Sequence, residues 1–172
     1  LLGISKFYTT WALYAWTCEP LGQTMMYPDK FPPGADPDAI LITKDNWQDL
    51  GTPDFSTGVP AAIDGILRVA QELTGVAPLL QISAPYSLAA DIYGQEPLLA
   101  DVVNNPDRVN ALLNHLGDVV LAPWMDHFFT QFPDGWVELS DASGSPFFIG
   151  PENCQTMSIR SIRHMLQGKA YA

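Results

Sequence analysis

The sequence predicts an α/β fold with a parallel sheet, of the kind that closes into a (β/α)8 barrel. Three short apolar runs, at residues 24–27, Pro78–Ser83 and 136–139, each end in a loop that carries an aspartate together with proline or glycine. Helical patterns separate these runs, and crossovers through helices place successive strands parallel. Enzymes built on such barrels carry their chemistry on the loops at the C-terminal ends of the strands.

Four helices are predicted around these strands. The first covers residues 4–18 and stops at Gly22; the second covers residues 60–73, with apolar side chains at helical spacing, and stops at Gly75. A third begins at Pro106 behind Asn105 as its N-cap, and Pro123 should kink or end it. Gly150 opens the last helix. Residues 30–58 are predicted to be a long loop with one helical turn near residues 45–50.

Composition limits the classes of function. The chain has 172 residues, 47% hydrophobic and 16% charged, which predicts a single folded domain over residues 1–172. Eight Lys and Arg against 19 Asp and Glu give a net charge of -11, so we expect neither nucleic-acid binding nor attachment to an anionic membrane. Cys18 and Cys154 lie far apart, which favours free thiols in the cytoplasm.

Three motifs in order resemble a known family. GVAPLLQISAPYSLAADIYG, LLADVVNNPDRVNALLNHLGD and GWVELSDASGSPFFIGPENC are similar to segments of the uroporphyrinogen decarboxylase superfamily, especially of its methyltransferase branch. The resemblance covers residues 22–166 and implies a TIM (β/α)8 barrel. About three βα units are present in this chain, as an N-terminal part of the barrel. We therefore expect the remainder of the barrel, or another subunit, as a partner.

The resemblance implies a methyltransferase that moves a methyl group between a methylated small-molecule substrate or corrinoid and a thiol or folate acceptor. In that branch a zinc ion on His and Cys ligands lowers the pKa of the acceptor thiol. Those ligands belong to later strands, so we expect zinc to be bound by residues outside this chain. A corrinoid (cobalamin) methyl carrier and a corrinoid protein partner are the other expectations. The alternatives are a uroporphyrinogen decarboxylase and a non-catalytic binding subunit.

Six residues are candidates for the site, and four of them also have a structural interpretation. Asp29 and Asp141 are predicted to be catalytic, and the predicted substrate-binding residues are Tyr27, Tyr86, Asp91 and Ser143. Asp29 matches the decarboxylase aspartate that binds pyrrole N–H groups, whereas Asp91 stands where the decarboxylase has tyrosine. Asp29 and Asp141 could instead cap local turns, Asp91 could favour a helix N-terminus, and Tyr86 could pack in the core.

The three histidines are predicted to be structural. His127 resembles half of a metal-binding pair but has no second ligand at i+4. His115 is expected at the surface, and His164 in the last turn of a helix. The sequence therefore assigns no metal ligand to this chain.

Overall fold

The computed structural model of the chain describes residues 7–8 and 13–171, with side chains from Tyr14 onward. In that part of the chain, the strands are β1 (Phe7–Tyr8), β2 (Met25–Met26), β3 (Gly34–Ala35), β4 (Pro78–Ser83) and β5 (Trp136–Ser140). The α-helices there are α1 (Leu13–Cys18), α2 (Gly58–Thr74), α3 (Pro85–Ile92), α4 (Gln95–Asn104), α5 (Pro106–Leu116), α6 (Ala122–Gln131), α7 (Pro146–Asn153) and α8 (Arg160–Leu166). None of them is both long and apolar enough to cross a bilayer.

The main sheet is parallel, with β4 between β1 and β5. The prediction of β4 is confirmed at both ends, and five of its six residues are buried. A strand flanked on both edges and covered on both faces favours such a continuous apolar run. The predicted strand at residues 136–139 is also confirmed, with Ser140 as its last residue.

The β4–β5 ladder has two distinct faces. Leu80, Ile82, Val137 and Leu139 pack against the helical core. Since side chains alternate along a strand, the other residues of the paired segments point the opposite way. We call this the inner face, and its residues are Leu79, Gln81, Ser83, Trp136, Glu138 and Ser140. In a closed barrel this face lines the interior.

The helix at residues 60–73 is confirmed as α2, which buries Pro60, Ile63, Leu67 and Ala70 and ends at Gly75 with φ 68°. A positive φ costs little only for glycine, so this residue suits the end of a helix.

The predicted helix at Pro106 is confirmed as α5, but Pro123 does not end the helical segment. A π-helical turn, Gly117–Leu121, links α5 directly to α6. Pro123 lies in the first turn of α6, where a missing N–H is tolerated.

The predicted helix at residues 4–18 is wrong at Phe7–Tyr8. These two residues form strand β1, which pairs with Pro78 and Leu79, whereas the prediction is confirmed over Leu13–Cys18, which is helix α1. The rest of the predicted range lies outside the described residues. Short aromatic and apolar runs suit a strand as well as a helix, and pairing with β4 decides between them. The stop at Gly22, where φ is 93°, agrees with the prediction.

The run at residues 24–27 is not a strand of the main sheet. Met25–Met26 pairs antiparallel with Gly34–Ala35 in a separate two-residue ribbon. Asp29 follows this ribbon strand, so its predicted place at the end of a barrel strand is wrong. The position next to β4 belongs to β1, and Pro28 prevents the short run from extending. A 3-10 turn at Trp47–Asp49 lies within the predicted turn near residues 45–50.

Helices α3 and α4 were not predicted. Nearly every residue of α3 is buried, so its sequence shows no polar face from which a helical period could be recognised. The last helical segment also differs in detail from the prediction. It begins at Pro146, breaks at Gly150 with φ 81° and ψ 159°, and continues through a π-helical turn, Cys154–Ile159, into α8.

We predict that Gly150→Ala lowers the free energy of unfolding by about 1–3 kcal/mol, because its backbone conformation is one that only glycine adopts cheaply. Gly65→Ala is the matched control. A methyl group there meets no atom, and alanine should raise stability by roughly 0.5–1 kcal/mol inside α2. Urea unfolding of both variants checks this; equal effects of the two substitutions would contradict the strain at Gly150.

Candidate functional site

A carboxylate joins three segments at the C-terminal edge of the sheet. Asp141 follows β5, and its Oδ1 accepts hydrogen bonds from Ser87 Oγ at 2.8 Å and from the backbone N–H of Gly144 at 3.1 Å. Its Oδ2 accepts a hydrogen bond from Ser158 Oγ. Ser143 joins through its N–H, which donates to Ser87 Oγ at 3.2 Å. These five residues form the Asp141 cluster.

Position 144 of the cluster has no room for a side chain, so glycine is required there. A Cβ atom there would lie 2.7 Å from the carboxyl carbon of Asp141. The bond from the Gly144 N–H is also the local turn contact that the structural interpretation of Asp141 requires. Asp141 therefore holds its own loop, α3 and the last helical segment in one arrangement, and its catalytic role stays a prediction.

Tyr86 lies beside this cluster with its side chain fully buried. Its hydroxyl has no hydrogen-bond partner in the described part of the chain. Burial, followed by the negative charge of Asp141, raises the pKa of Tyr86 to about 12. The phenol is therefore protonated at neutral pH, and its O–H is a donor that a bound molecule could use. A buried hydroxyl without a hydrogen-bond partner lowers the stability of the fold by about 1–3 kcal/mol. A bound molecule that accepts a hydrogen bond from Tyr86 would remove this cost.

Helix α1 covers the ends of the two long strands. The Tyr14 and Ser140 hydroxyls share a hydrogen bond at 3.0 Å, and the N–H of Ser83 donates to Thr17 Oγ1 at 3.2 Å. Ser83 Oγ is buried and, within the described residues, has no partner. The inner face thus ends in hydroxyl groups directly next to the Asp141 cluster.

Asp91 belongs to a different contact. The thiol of Cys18 donates to its Oδ2 at 3.8 Å, which joins α1 to α3. Burial raises the pKa of Asp91 to about 6, and the hydrogen bond from Cys18 partly offsets this effect. The pKa of Cys18 is raised by its own burial and by the charge of Asp91. Cys18 and Cys154 are both free thiols.

The two remaining candidates lie on the ribbon and at its turn. Asp29 is exposed. Tyr27 is 58% exposed, and its hydroxyl donates to Glu19, which raises the pKa of Tyr27 to about 12. The structure therefore brings Asp141, Ser143 and Tyr86 together, and it places Asp29, Tyr27 and Asp91 in other surroundings.

Sequence reasoning missed Ser87, Ser158 and Glu138. Ser87 lies four residues after the end of β4, a position that could have been noticed. Glu138 interrupts an apolar run between Val137 and Leu139, and this alternation was a usable signal for the inner face. Ser158 has no local signal, because it reaches Asp141 only through the irregular helix that precedes it.

The histidines make contacts with neighbouring segments. His127 Nε2 lies 2.6 Å from Asp64 Oδ2, and His164 Nε2 lies 3.1 Å from Asp118 Oδ2. His115 Nε2 lies 2.9 Å from the carbonyl oxygen of Leu50. In the described ranges, no three His, Cys, Asp or Glu side chains form a group that could hold a metal ion.

The raised pKa of Asp91 predicts a pH effect on stability. Since the folded protein holds this proton more tightly than the unfolded chain, whose aspartate pKa is near 3.8, ionisation destabilises the fold as pH rises through about 6. Between pH 5 and pH 7.5, the free energy of unfolding of the unmodified protein should fall by roughly 1 kcal/mol relative to that of Asp91→Asn. Urea unfolding over this range, above the pI near 4.3, measures the difference, and a pH-independent difference would contradict the burial of this carboxyl group.

Comparisons with known proteins identify the family. The uroporphyrinogen decarboxylase (URO-D) family model matches residues 14–125, well over half of the chain. A methyltransferase from Methanosarcina mazei has a similar structure, with a TM-score of 0.79 and 13% sequence identity over 99% of this chain and 50% of that chain. The chain thus spans half the length of that structure, and this likeness shows the fold alone. No curated protein sequence matches. The chain has the α/β fold of part of a TIM barrel, and it belongs to the uroporphyrinogen decarboxylase family.

Proposed function

We propose that the protein is a methyltransferase that moves a methyl group between a methylated small molecule or corrinoid and a thiol or folate acceptor. Two comparisons support this: family membership and the likeness to a methanogen methyltransferase. The observation that carries the choice within the family is the hydrogen-bonding of the Asp141 cluster. Its donors are the hydroxyls of Ser87 and Ser158 and backbone N–H groups.

The Lys and Arg side chains whose contacts the structure describes bind groups outside the Asp141 cluster. Arg108 binds Asp101 through Nε at 3.1 Å, and Lys169 Nζ lies 2.6 Å from Asp126 Oδ2. The described hydrogen bonds of Arg68 and Arg160 go to amide side chains on neighbouring helices. A porphyrinogen substrate carries several carboxylates, which call for cationic partners. The cluster is better suited to a substrate without several negative charges.

The residues of this chain would act by positioning the reactants. Asp141 holds the loops after β4 and β5 in a fixed relation, which keeps a donor and an acceptor aligned during group transfer. The protonated hydroxyl of Tyr86 can donate to a polar atom of the substrate. Neither residue has to exchange a proton for a methyl group to move.

Zinc and a corrinoid remain part of the proposal as groups bound outside this chain. Zinc activates an acceptor thiol in this branch of the family, but the described residues provide no ligand set for it, and we derive no step through it. The partners proposed are the remainder of the barrel, or another subunit, and a corrinoid protein. Two free thiols fit the cytoplasm as the compartment.

Uroporphyrinogen decarboxylation is the second candidate, because the family model carries that description. In that reaction Asp29 would hold the pyrrole N–H groups of the substrate. Its exposure on the β2–β3 ribbon favours the methyltransferase. A non-catalytic binding subunit is the third candidate.

We predict that the protein assembled with the remainder of its barrel and with zinc demethylates methylcobalamin in the presence of a thiol or folate acceptor, measured by the absorbance change of the cobalamin. Asp141→Asn should slow this reaction about 10²-fold, comparable to the loss of one positioned group at an active site. Asp29→Asn is the matched control and should change the rate by less than about twofold, as for a surface substitution.

Release of carbon dioxide from uroporphyrinogen without demethylation of methylcobalamin would reverse the assignment. Under the decarboxylase alternative, Asp29→Asn should be the variant that loses activity. A folded, zinc-loaded assembly of this chain with the remainder of its barrel that shows neither activity would indicate the binding subunit.

A further inference from the structure

Helix α2 carries a second apolar face, which the described residues leave exposed. One face of the helix buries Ile63 and Leu67 in the core. The second face is a row of exposed apolar residues, which we call the α2 stripe: Ala62, Ile66, Val69 and Leu73. The exposed fractions of its three large side chains are 44%, 54% and 81%. A contiguous apolar patch of this kind marks a contact site, whereas a single exposed apolar residue does not.

The opposite flank of α2 shows which way the stripe points. Asp64 Oδ2 lies 2.6 Å from His127 Nε2, and Arg68 Nη2 donates to Gln131 Oε1 at 3.0 Å, so this flank faces α6. Since an α-helix has about 3.6 residues per turn, the stripe lies roughly 150° around the axis from these contacts. Helix α6 leads into β5, and β1 is the edge strand on the other side of β4 in the described sheet. The stripe therefore points past the β1 edge.

The spacing of the stripe suits a helix as its partner. Its residues follow one another at intervals of four, three and four positions, which is the spacing of the seam between two packed helices. A strand would bind through backbone N–H and C=O groups, and the side of a helix offers none of these. The stripe carries no charged side chain, so the partner helix should present an apolar row of its own.

We propose that the α2 stripe binds an apolar helix of the remainder of the barrel, from the βα unit whose strand pairs with β1. In a parallel barrel the helices form an outer ring around the strands, so a strand added to β1 brings its helix next to the stripe. The similar methyltransferase structure contains as much chain again as the half that matches here. The inference rests on the barrel partner that belongs to the proposed function, and it names the surface at which this partner binds.

A second copy of this chain is a poorer occupant of the stripe. Stable interfaces between separate proteins bury about 1,200–2,000 Å² and use roughly 20–30 residues of each partner. The stripe offers four residues, which is too few for a stable dimer. A helix that belongs to a strand paired with β1 is not limited in this way, because the hydrogen bonds of the strand add to the apolar contact.

Thiol labelling of the protein assembled with the remainder of its barrel tests this contact. Val69→Cys places a thiol on the stripe. Val103→Cys is the matched control, because this valine on α4 is 78% exposed and lies outside the stripe. In the folded protein, maleimide should react at least about tenfold more slowly at position 69 than at position 103, since reaction on the stripe requires the helix contact to open. In urea the two rates should be equal, and mass spectrometry of the labelled peptides distinguishes these thiols from others.

Equal labelling rates at the two positions in the folded protein would overturn the proposal. Protection of position 69 that disappears on dilution, together with a dimeric mass by light scattering, would assign the stripe to a second copy and overturn it too. Protection that does not depend on protein concentration would support it. Labelling requires no turnover, so protection at position 69 in a protein that does not demethylate methylcobalamin would reject the methyltransferase and retain the helix contact.

Discussion

The parallel pairing of β4 with β5 is the interaction on which the rest of the structure depends. Five residue pairs, from Leu79↔Trp136 to Ser83↔Ser140, fix the register. The ladder turns one set of side chains toward the helices and the other toward the inner face. Because both strands end at the same level, α3 and the loop after β5 start side by side. That placement brings Ser87 within hydrogen-bond distance of Asp141.

The sequence predicts the parts of the fold whose signals are local. Strand β4 is a continuous apolar run, and α2 has a clear helical period with Gly75 at its end. Strand β1 could not be predicted, because its two residues become a strand only by pairing with β4, some 70 residues later. The run at Met25–Met26 has the composition of a barrel strand, but another segment already occupies the edge of β4.

The residues of the candidate site also fall into those with a local sequence signal and those without one. The position of Asp141 directly after β5 was predictable, because a strand followed by an aspartate in a glycine-containing loop is a local pattern. Ser158 was not, since its approach to Asp141 depends on the break at Gly150 and the π-helical turn after it. Asp91 was expected in the substrate site, whereas its partner is Cys18, a contact across 73 positions that no spacing reveals.

Disulfide cross-linking tests the central claim, the β4–β5 register and its inner face, most directly. In a background with Cys18→Ala and Cys154→Ala, the pair Gln81→Cys and Glu138→Cys should form a disulfide on mild oxidation. The two positions are Cα partners about 5 Å apart with side chains on one face, which permits the bond. The pair Ile82→Cys and Glu138→Cys, on opposite faces, should stay reduced. Cross-linking of the second pair but not the first would contradict the register and, with it, the assignment of the inner face.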